Sequence, residues 1–530
     1  MIRIRQIKIP VEVDSTESLE KAICKILRIN SNEIIRFNIV KKSLDARKKD
    51  SIHYVYEVDV LVTNDKSVLK HTNSKDVFIS NHSHYELTPS GTKTLTERPI
   101  VVGSGPAGLF CAYILAEYNY RPIIIERGAS VDERVKTIET FWQTGILDEN
   151  TNVQFGEGGA GTFSDGKLNT LVKDPRNISQ KVFDIFVENG APEEIKYLNH
   201  PHIGTDILRQ VVKNIRNKII SMGGEFHYHT CLTNIITEDN TLVGIEINHN
   251  KRINCNALIL AIGHSARDTF EMLNTHNLEM QAKPFAIGVR IEHPQELINE
   301  NQYGQKLSAY LPPASYKLTY TTTKNRGVYS FCMCPGGFVV NASSEKGLLA
   351  INGMSNYQRN EKNANSALVV TISPADFGSD PMAGIKYQRA LERLAYQAGA
   401  GKIPVQLYKD FINNKKSTSF LDITPNMKGA YNFANINEVL PPYISEALKE
   451  AIPYFDKKIK GYAKEGAIIS AIESRTSSPV RIPRDAEGQS KIKGLFPCGE
   501  GSGYAGGITT AAMDGIKVAE FISKIYKPFK

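Results

Sequence analysis

Pro99-Ile-Val-Val-Gly103-Ser104-Gly105-Pro106-Ala107-Gly108-Leu-Phe-Cys-Ala-Tyr-Ile-Leu-Ala116, followed after four residues by Arg121-Pro-Ile-Ile-Ile-Glu126-Arg127, decides how this chain reads. An apolar run, a glycine turn, an apolar helix and a second apolar run make the β-α-β unit of a parallel sheet. Gly103 permits the tight turn off the first strand, Gly105 lets backbone approach a pyrophosphate, and Gly108 lets the helix pack close to the sheet. Unpaired amides and the positive dipole end of the helix form an anion site, and Pro106 occupies a position that needs no donor. Glu126 stands 18 residues after Gly108, where a carboxylate accepts from adenosine ribose hydroxyls and disfavours a 2′-phosphate. The expectation is a bound adenine dinucleotide, and this fingerprint alone does not separate FAD from NAD.

The rest of the chain is globular in composition. Its 530 residues allow roughly three to four folding units. Hydrophobic residues make up 41% and charged residues 23%, a balance that excludes a disordered or fibrous chain. No apolar run reaches the length of a membrane span, and the N-terminus, MIRIRQIKIPVEVD, alternates apolar and polar residues instead of offering an export signal. Seven irregularly spaced cysteines form no disulfide framework, so a reducing, cytoplasmic setting is expected. The 64 basic and 56 acidic residues give a net charge of +8 spread along the chain. Clusters such as RKKD at 47–50 and DKKIK at 456–460 fit a solvated surface. No domain-sized basic stripe speaks for a nucleic-acid partner.

Towards the N-terminus, residues 1–13 alternate as a strand, and 15–27 place Leu19, Ala22, Ile23 and Ile26 at helical spacing behind a Ser15 or Thr16 cap. Strand-like runs follow at 34–40 and 52–62. This β-α-β-β order predicts a small ferredoxin-like α+β domain. The polar stretch 63–97 is expected to be a linker or wrapping segment. Beyond the fingerprint, 205–223 reads as an amphipathic helix, short strands run through 225–256, and 258–263 reads as a buried strand. From 284 to 464 strand-like pieces alternate with a helix near 382–399, and after 465 the chain returns to glycine-rich loops and a final helix. The predicted class is α/β, with an N-terminal α+β domain and linker over 1–92, a Rossmann-like domain in two parts, 93–283 and 465–530, and an inserted α+β substrate domain or cap over 284–464.

Further motifs choose the dinucleotide. GPAG with Glu126-Arg127, the strand Leu-Ile-Leu-Ala261-Ile-Gly263, and Gly494-Leu-Phe-Pro-Cys-Gly499-Glu500-Gly501 followed by Gly506-Gly507-Ile508-Thr-Thr-Ala resemble the three FAD signatures of the glutathione reductase-like flavoprotein superfamily. The resemblance spans roughly 99–267 and 465–530. It implies FAD as cofactor, with Glu500 near the ribityl–phosphate region, where Asp is commoner. It also implies a helix N-terminus at 507–510 that favours negative charge on the reduced ring. Expected cofactor contacts extend to Ser104, Ala107, Arg127, Arg134, Thr162, Leu168, Cys231 and Leu232. Gln154-Phe-Gly156-Glu-Gly158-Gly159-Ala160-Gly161-Thr162-Phe-Ser164-Asp165-Gly166-Lys167-Leu168 packs five glycines into 156–166, so its backbone can approach a flat or anionic ligand, with Lys167 or Asp165 at the isoalloxazine edge. With Glu473-Ser-Arg475-Thr-Ser-Ser-Pro479-Val-Arg481, this segment makes the whole chain resemble a family of bacterial FAD-dependent dehydrogenases, and more loosely geranylgeranyl-reductase-like and aminoacetone-oxidase-like proteins.

No other glycine fingerprint follows a strand, so any NAD(P)H must reach the flavin by diffusion. The expected function is an FAD-dependent oxidoreductase passing hydride between flavin N5 and a small organic substrate held beneath the cap. Arg475, with its rigid fork, is the first choice for an anionic substrate group. Lys167 and His264, which follows the Ala-Ile-Gly strand end, are the other candidate orienting or proton-transferring groups. Tyr504 is expected over the flavin or at its access. Cys332-Met-Cys334 and His200-Pro-His202 lack disulfide-reductase or zinc spacing and are expected to be structural, and no metal site is expected. The alternatives are a flavoprotein that binds tRNA or other nucleic acid through its N-terminal domain, and a flavin-binding regulator without turnover.

Overall fold

Strands that are apolar at every residue need cover on both faces, and the fingerprint supplies such strands. The structure, a computed structural model, describes residues 1–72, 74–80, 85–170 and 172–529. Its central sheet is parallel throughout, in the order Leu495–Pro497, Leu258–Leu260, Ile100–Val102, Ile123–Ile125 and Glu225–His227. Side chains alternate across it. Val101, Ile124, Ile259 and Phe496 face a core shared with the helices Pro106–Glu117, Thr205–Ser221 and Ile508–Ile525. Ile100, Val102, Ile125, Leu258 and Leu260 face the other way, onto the three-stranded antiparallel layer of Leu232–Glu238, Thr241–Ile247 and Lys251–Asn254. Gly103 turns off its strand at φ +97°, and a Cβ at Gly108 would lie 1.9 Å from the Gly103 carbonyl oxygen. The first helix therefore seats directly on the turn.

The N-terminal domain has the order Ile2–Pro10, Thr16–Leu27, Ile34–Asp45, His53–Val62, Asp65–His71 and Val77–Ile79. Ser15 caps the first helix, its side chain accepting from the Ser18 amide. The antiparallel sheet runs second-third-first-fourth, a split β-α-β arrangement. The helix Asp65–His71 and strand Val77–Ile79 lie inside the segment expected to be a linker, which is corrected accordingly. Part of its polar content belongs to that short, largely exposed helix. Within that segment, residues 73 and 81–84 lie outside the described residues. Residues 90–93 do wrap, pairing along the end of the last helix through Ser90, Gly91 and Lys93. The domain docks on the remainder: Lys42 exchanges backbone hydrogen bonds of 2.7 and 2.9 Å with Tyr197 and Asn199, and Val11 and Ile52 enter the cap's core.

The cap is built on a seven-stranded sheet in the order Thr319–Thr321, Gly327–Cys334, Asn363–Ile372, Phe285–Pro294, Ile468–Glu473, Ile403–Leu407 and Tyr431–Phe433. The strand Ile468–Glu473 is buried at every residue between two cap strands, so the boundary expected at 465 is corrected: the chain leaves the cap after Glu473. A second cap helix, Pro442–Asp456, carries Pro442 in its first turn and Pro453 inside it, which hides it from a periodicity reading. Among the described residues, no helix is long and apolar enough to cross a membrane.

A buried ion network joins the two halves. Glu392, on the cap helix Ala383–Ala398, accepts from Arg267 at 2.7 and 2.8 Å and from Arg475 at 2.9 and 3.0 Å. Burial alone would raise the Glu392 carboxyl, but the two guanidiniums override it and hold the group well below the usual carboxylate range. Removing one member of such a network leaves buried charge uncompensated. Glu392→Gln is expected to cost about 3–5 kcal/mol, read as a lower denaturant midpoint for loss of the native near-UV signal.

Candidate flavin site

A cavity of about 700 Å³ opens where the central parallel strands end, between the sheet and the cap. That is where ligands bind in open α/β sheets. Gly103, Gly105, Pro106 and Ala107 line it from the first turn, and Gly159, Ala160 and Gly161 from the second glycine-rich loop. Glu126, Arg127, Cys231 and Leu232 line one end, while Ala261, Gly263 and His264 form the floor. Glu500, Gly506, Gly507 and Ile508 bring the N-terminus of the last helix to the wall, and Lys167 and Arg475 face the cap. A Cβ on Gly105 would meet only the Gly159 Cα, at 3.7 Å, so the chain has room for a side chain there and the cavity would receive it.

Six expected cofactor contacts lie behind the wall instead. Ser104 is fully buried and spends its amide and hydroxyl on Glu126, at 2.9 and 2.7 Å. Gly108 is covered by Gly103. Arg134 is buried and donates to the carbonyls of Asn152, Val153, Gly156, Glu157 and Gly159, fastening the second glycine loop from the rear. Burial pushes its guanidinium down to about 9. The Thr162 carbonyl accepts from Thr205, the Leu168 carbonyl from Thr509, and the Gly499 amide donates to Asp514. Glu126 does reach the cavity, yet its two oxygens already accept four hydrogen bonds from Ser104, Gly128 and Gly156. A ribose hydroxyl would be a fifth donor.

Arg475 is corrected as the anion-binding group. Its guanidinium is spent on Glu392 and on the Ser344 hydroxyl at 2.5 Å, and its side chain is 4% exposed. Tyr504 is likewise not over the cavity; it is clamped between Arg481 and Arg484, 4.6 and 3.8 Å from its ring centre. Lys167 is fixed but reachable: its ammonium donates to Asp165 at 2.6 Å and to the Met333 carbonyl. Asp165 also accepts from Arg359 and Ser355. Burial would raise the Asp165 carboxyl, and Lys167 and Arg359 hold it well below the usual range instead.

His264 and Glu500 meet at the floor, with 3.6 Å between Nδ1 and Oε1. Burial, helped by the charges of Arg475 and Arg267, pushes His264 down to about 3, so the ring is neutral, and its buried Nε2 has no partner. Burial pushes Glu500 up to about 7 against the pull of Lys283 and the Gly507 amide. His200 lines the cavity, whereas His202 stacks on Tyr357 and bonds its carbonyl. The residues that the sequence reading missed are on the cap side: Tyr316, Lys317, Ser330, Asn352 and Glu473. Of these only Glu473 stood in a quoted motif.

Residues 284–476 match a family described as FAD-dependent protein, C-terminal domain-like. Residues 101–156 match the NAD(P)-binding Rossmann-like domain, and residues 1–61 match a domain of unknown function. An uncharacterized protein of Clostridium beijerinckii is 52% identical over 527 residues, 98% of each chain. The chain belongs to the family of FAD-dependent proteins that carry this C-terminal domain. Solved structures similar to this protein include Escherichia coli quinol fumarate reductase, at 12% identity and TM-score 0.34 over 82% of this chain and 70% of that one. Glycine oxidase from Geobacillus kaustophilus aligns at 10% identity and TM-score 0.36 over 82% and 96%.

The cofactor is FAD, and the residues present fit it. The cavity has helix N-termini at Gly105–Ala107 and at Gly507–Ile508, the first suited to a diphosphate and the second to the electron-rich edge of a flavin. Added Cβ atoms at Gly263, Gly506 and Gly507 would meet nothing within 4 Å, which leaves backbone bare along the path.

Gly105→Val is expected to give folded protein whose flavin-to-protein ratio, read from absorbance, falls roughly tenfold or more, about 1.4 kcal/mol of binding. Folding raises Glu500 from an ordinary 4.5 to about 7, so the fold disfavours its charged form. Its share of stability is complete below pH 4.5 and lost as pH rises to about 7. Glu500→Gln is expected to flatten that limb in apo-protein melting temperatures measured across pH.

Proposed function

We propose that this FAD-dependent oxidoreductase passes a hydride equivalent between flavin N5 and a small organic substrate held between the FAD domain and the cap. The observation that carries this reading is one continuous cavity, lined at one side by the fingerprint and at the other by cap residues Tyr316, Lys317, Ser330, Asn352 and Glu473. Bound FAD supplies two-electron chemistry there. The chain's own part is orientation and proton handling. The Lys167 ammonium, held by Asp165, faces the cavity as the group for an anionic part of the substrate. Glu500, raised to about 7, is matched to give and take a proton near neutral pH. His264 stays neutral beside it. The first amides of the helix Ile508–Ile525 favour negative charge near Gly507. NAD(P)H is assigned as a diffusible reductant.

Anaerobic mixing of the yellow holoenzyme with NADH or NADPH is expected to bleach the flavin, and added acceptors to restore it. Lys167→Met is expected to keep its flavin while lowering kcat/KM for the anionic partner roughly tenfold or more. A flavin that neither donor bleaches and no candidate substrate reduces would overturn the reading.

A further inference from the structure

Cys332 and Cys334 end the cap strand Gly327–Cys334, and the Cys334 thiol donates to the Cys332 carbonyl at 3.3 Å. Both cysteines line the cavity, as does Met333 between them. The strand's pairing with Asn363–Ile372 is broken by a bulge between Phe331 and Cys334. Bulges re-aim side chains beside active sites. Cys332 takes φ +40°, in the left-handed region that side-chain-bearing residues seldom adopt and that is retained where a site requires it. The tripeptide is held at both ends of this deformation. Arg290 donates to the Cys332 carbonyl at 3.2 Å while pairing with Glu473 at 2.8 Å, and Lys167 donates to the Met333 carbonyl. Both cysteines are free thiols; Cys332 is exposed and Cys334 is buried.

We infer that Cys332 and Cys334 form a redox pair that exchanges two electrons with the FAD and with a small disulfide or dithiol from outside. The inference rests on the cavity being the substrate end of the flavin site. In one direction two S–H bonds break and one S–S bond forms between Cys332 and Cys334, and the two electrons and two protons reduce FAD to FADH2. In the other, the disulfide is cleaved and both thiols are restored. Cys332, the exposed member, is the one that an external disulfide reaches. Thiolate attack there gives a mixed disulfide that Cys334 resolves, so one external disulfide becomes two thiols.

The test is an anaerobic dithionite titration of holoenzyme that has first been reduced and left to reoxidise in air. The wild type is expected to take up about four electrons per flavin and Cys334→Ser about two, since a disulfide is a two-electron couple. The tryptic peptide Gly327–Lys346 holds both cysteines and no other. After alkylation-free digestion it is expected to be lighter by about 2 Da in the reoxidised sample than in the reduced one, one S–S bond replacing two S–H bonds. Wild-type uptake of about two electrons, or a peptide at full mass after reoxidation, overturns the inference. Should Cys334→Ser not hold flavin, the wild-type electron count and peptide mass decide alone. Dithionite reduces the flavin whatever the physiological donor is, so failure of NADH and NADPH to bleach it leaves this measurement readable.

Discussion

The Glu126 carboxylate, 5% exposed at the end of the second parallel strand, accepts from the Ser104 amide and hydroxyl and from the amides of Gly128 and Gly156. Those donors belong to three separate loops: the fingerprint turn, the loop after the strand, and the second glycine-rich loop. A buried charge is tolerated only when fully hydrogen-bonded, and a buried amide only when paired, so each side of the arrangement satisfies the other. Glycine loops gain no rigidity from side chains of their own. Here they borrow it from one carboxylate in front and from the Arg134 guanidinium behind. The bare backbone that a diphosphate needs is thereby held in place before any ligand arrives.

The same device recurs at the roof. Asp165 is gripped by Lys167 from its own loop and by Arg359 from the cap, and Glu392 on the cap is gripped by Arg267 and Arg475. Each is an acid between two bases, buried so that water does not compete. The position of the cap over the cavity is therefore set by charge pairs of fixed geometry as well as by apolar packing.

What the sequence made legible were features whose physics is local. The run from Gly103 to Glu126 needs only turn chemistry, helix-end amides and strand alternation, all contained in one stretch, and its Gly105, Pro106 and Ala107 do line the cavity. Arg134 and Arg475 went astray because their partners stand elsewhere: the five carbonyls that hold Arg134 lie in a loop beginning 18 residues later, and Glu392 precedes Arg475 by 83. A lone arginine in a glycine- or serine-rich setting looks the same whether it waits for a ligand or is already spent. The strand Ile468–Glu473 was assigned to the wrong half for a related reason, since an apolar hexapeptide carries no label saying which sheet will take it up. The cap-side residues Tyr316 and Lys317 converge only through the order of seven strands drawn from nearly 190 residues, Phe285 to Glu473.

That misassigned strand has one further consequence. The two passages of chain between the halves run side by side as an antiparallel ribbon: Gln281 and Ala282 pair with Arg481 and Val480, the Lys283 amide donates to the Pro479 carbonyl, and Gly288 then faces Glu473. Paired neighbours in a sheet are separated by about 4.8 Å, so the whole cap leaves and rejoins its host at practically one point. Such a segment behaves as a cassette. Another of different shape, spliced in at the same ribbon, would present a new ceiling to the flavin while leaving every contact of the dinucleotide cradle where it was.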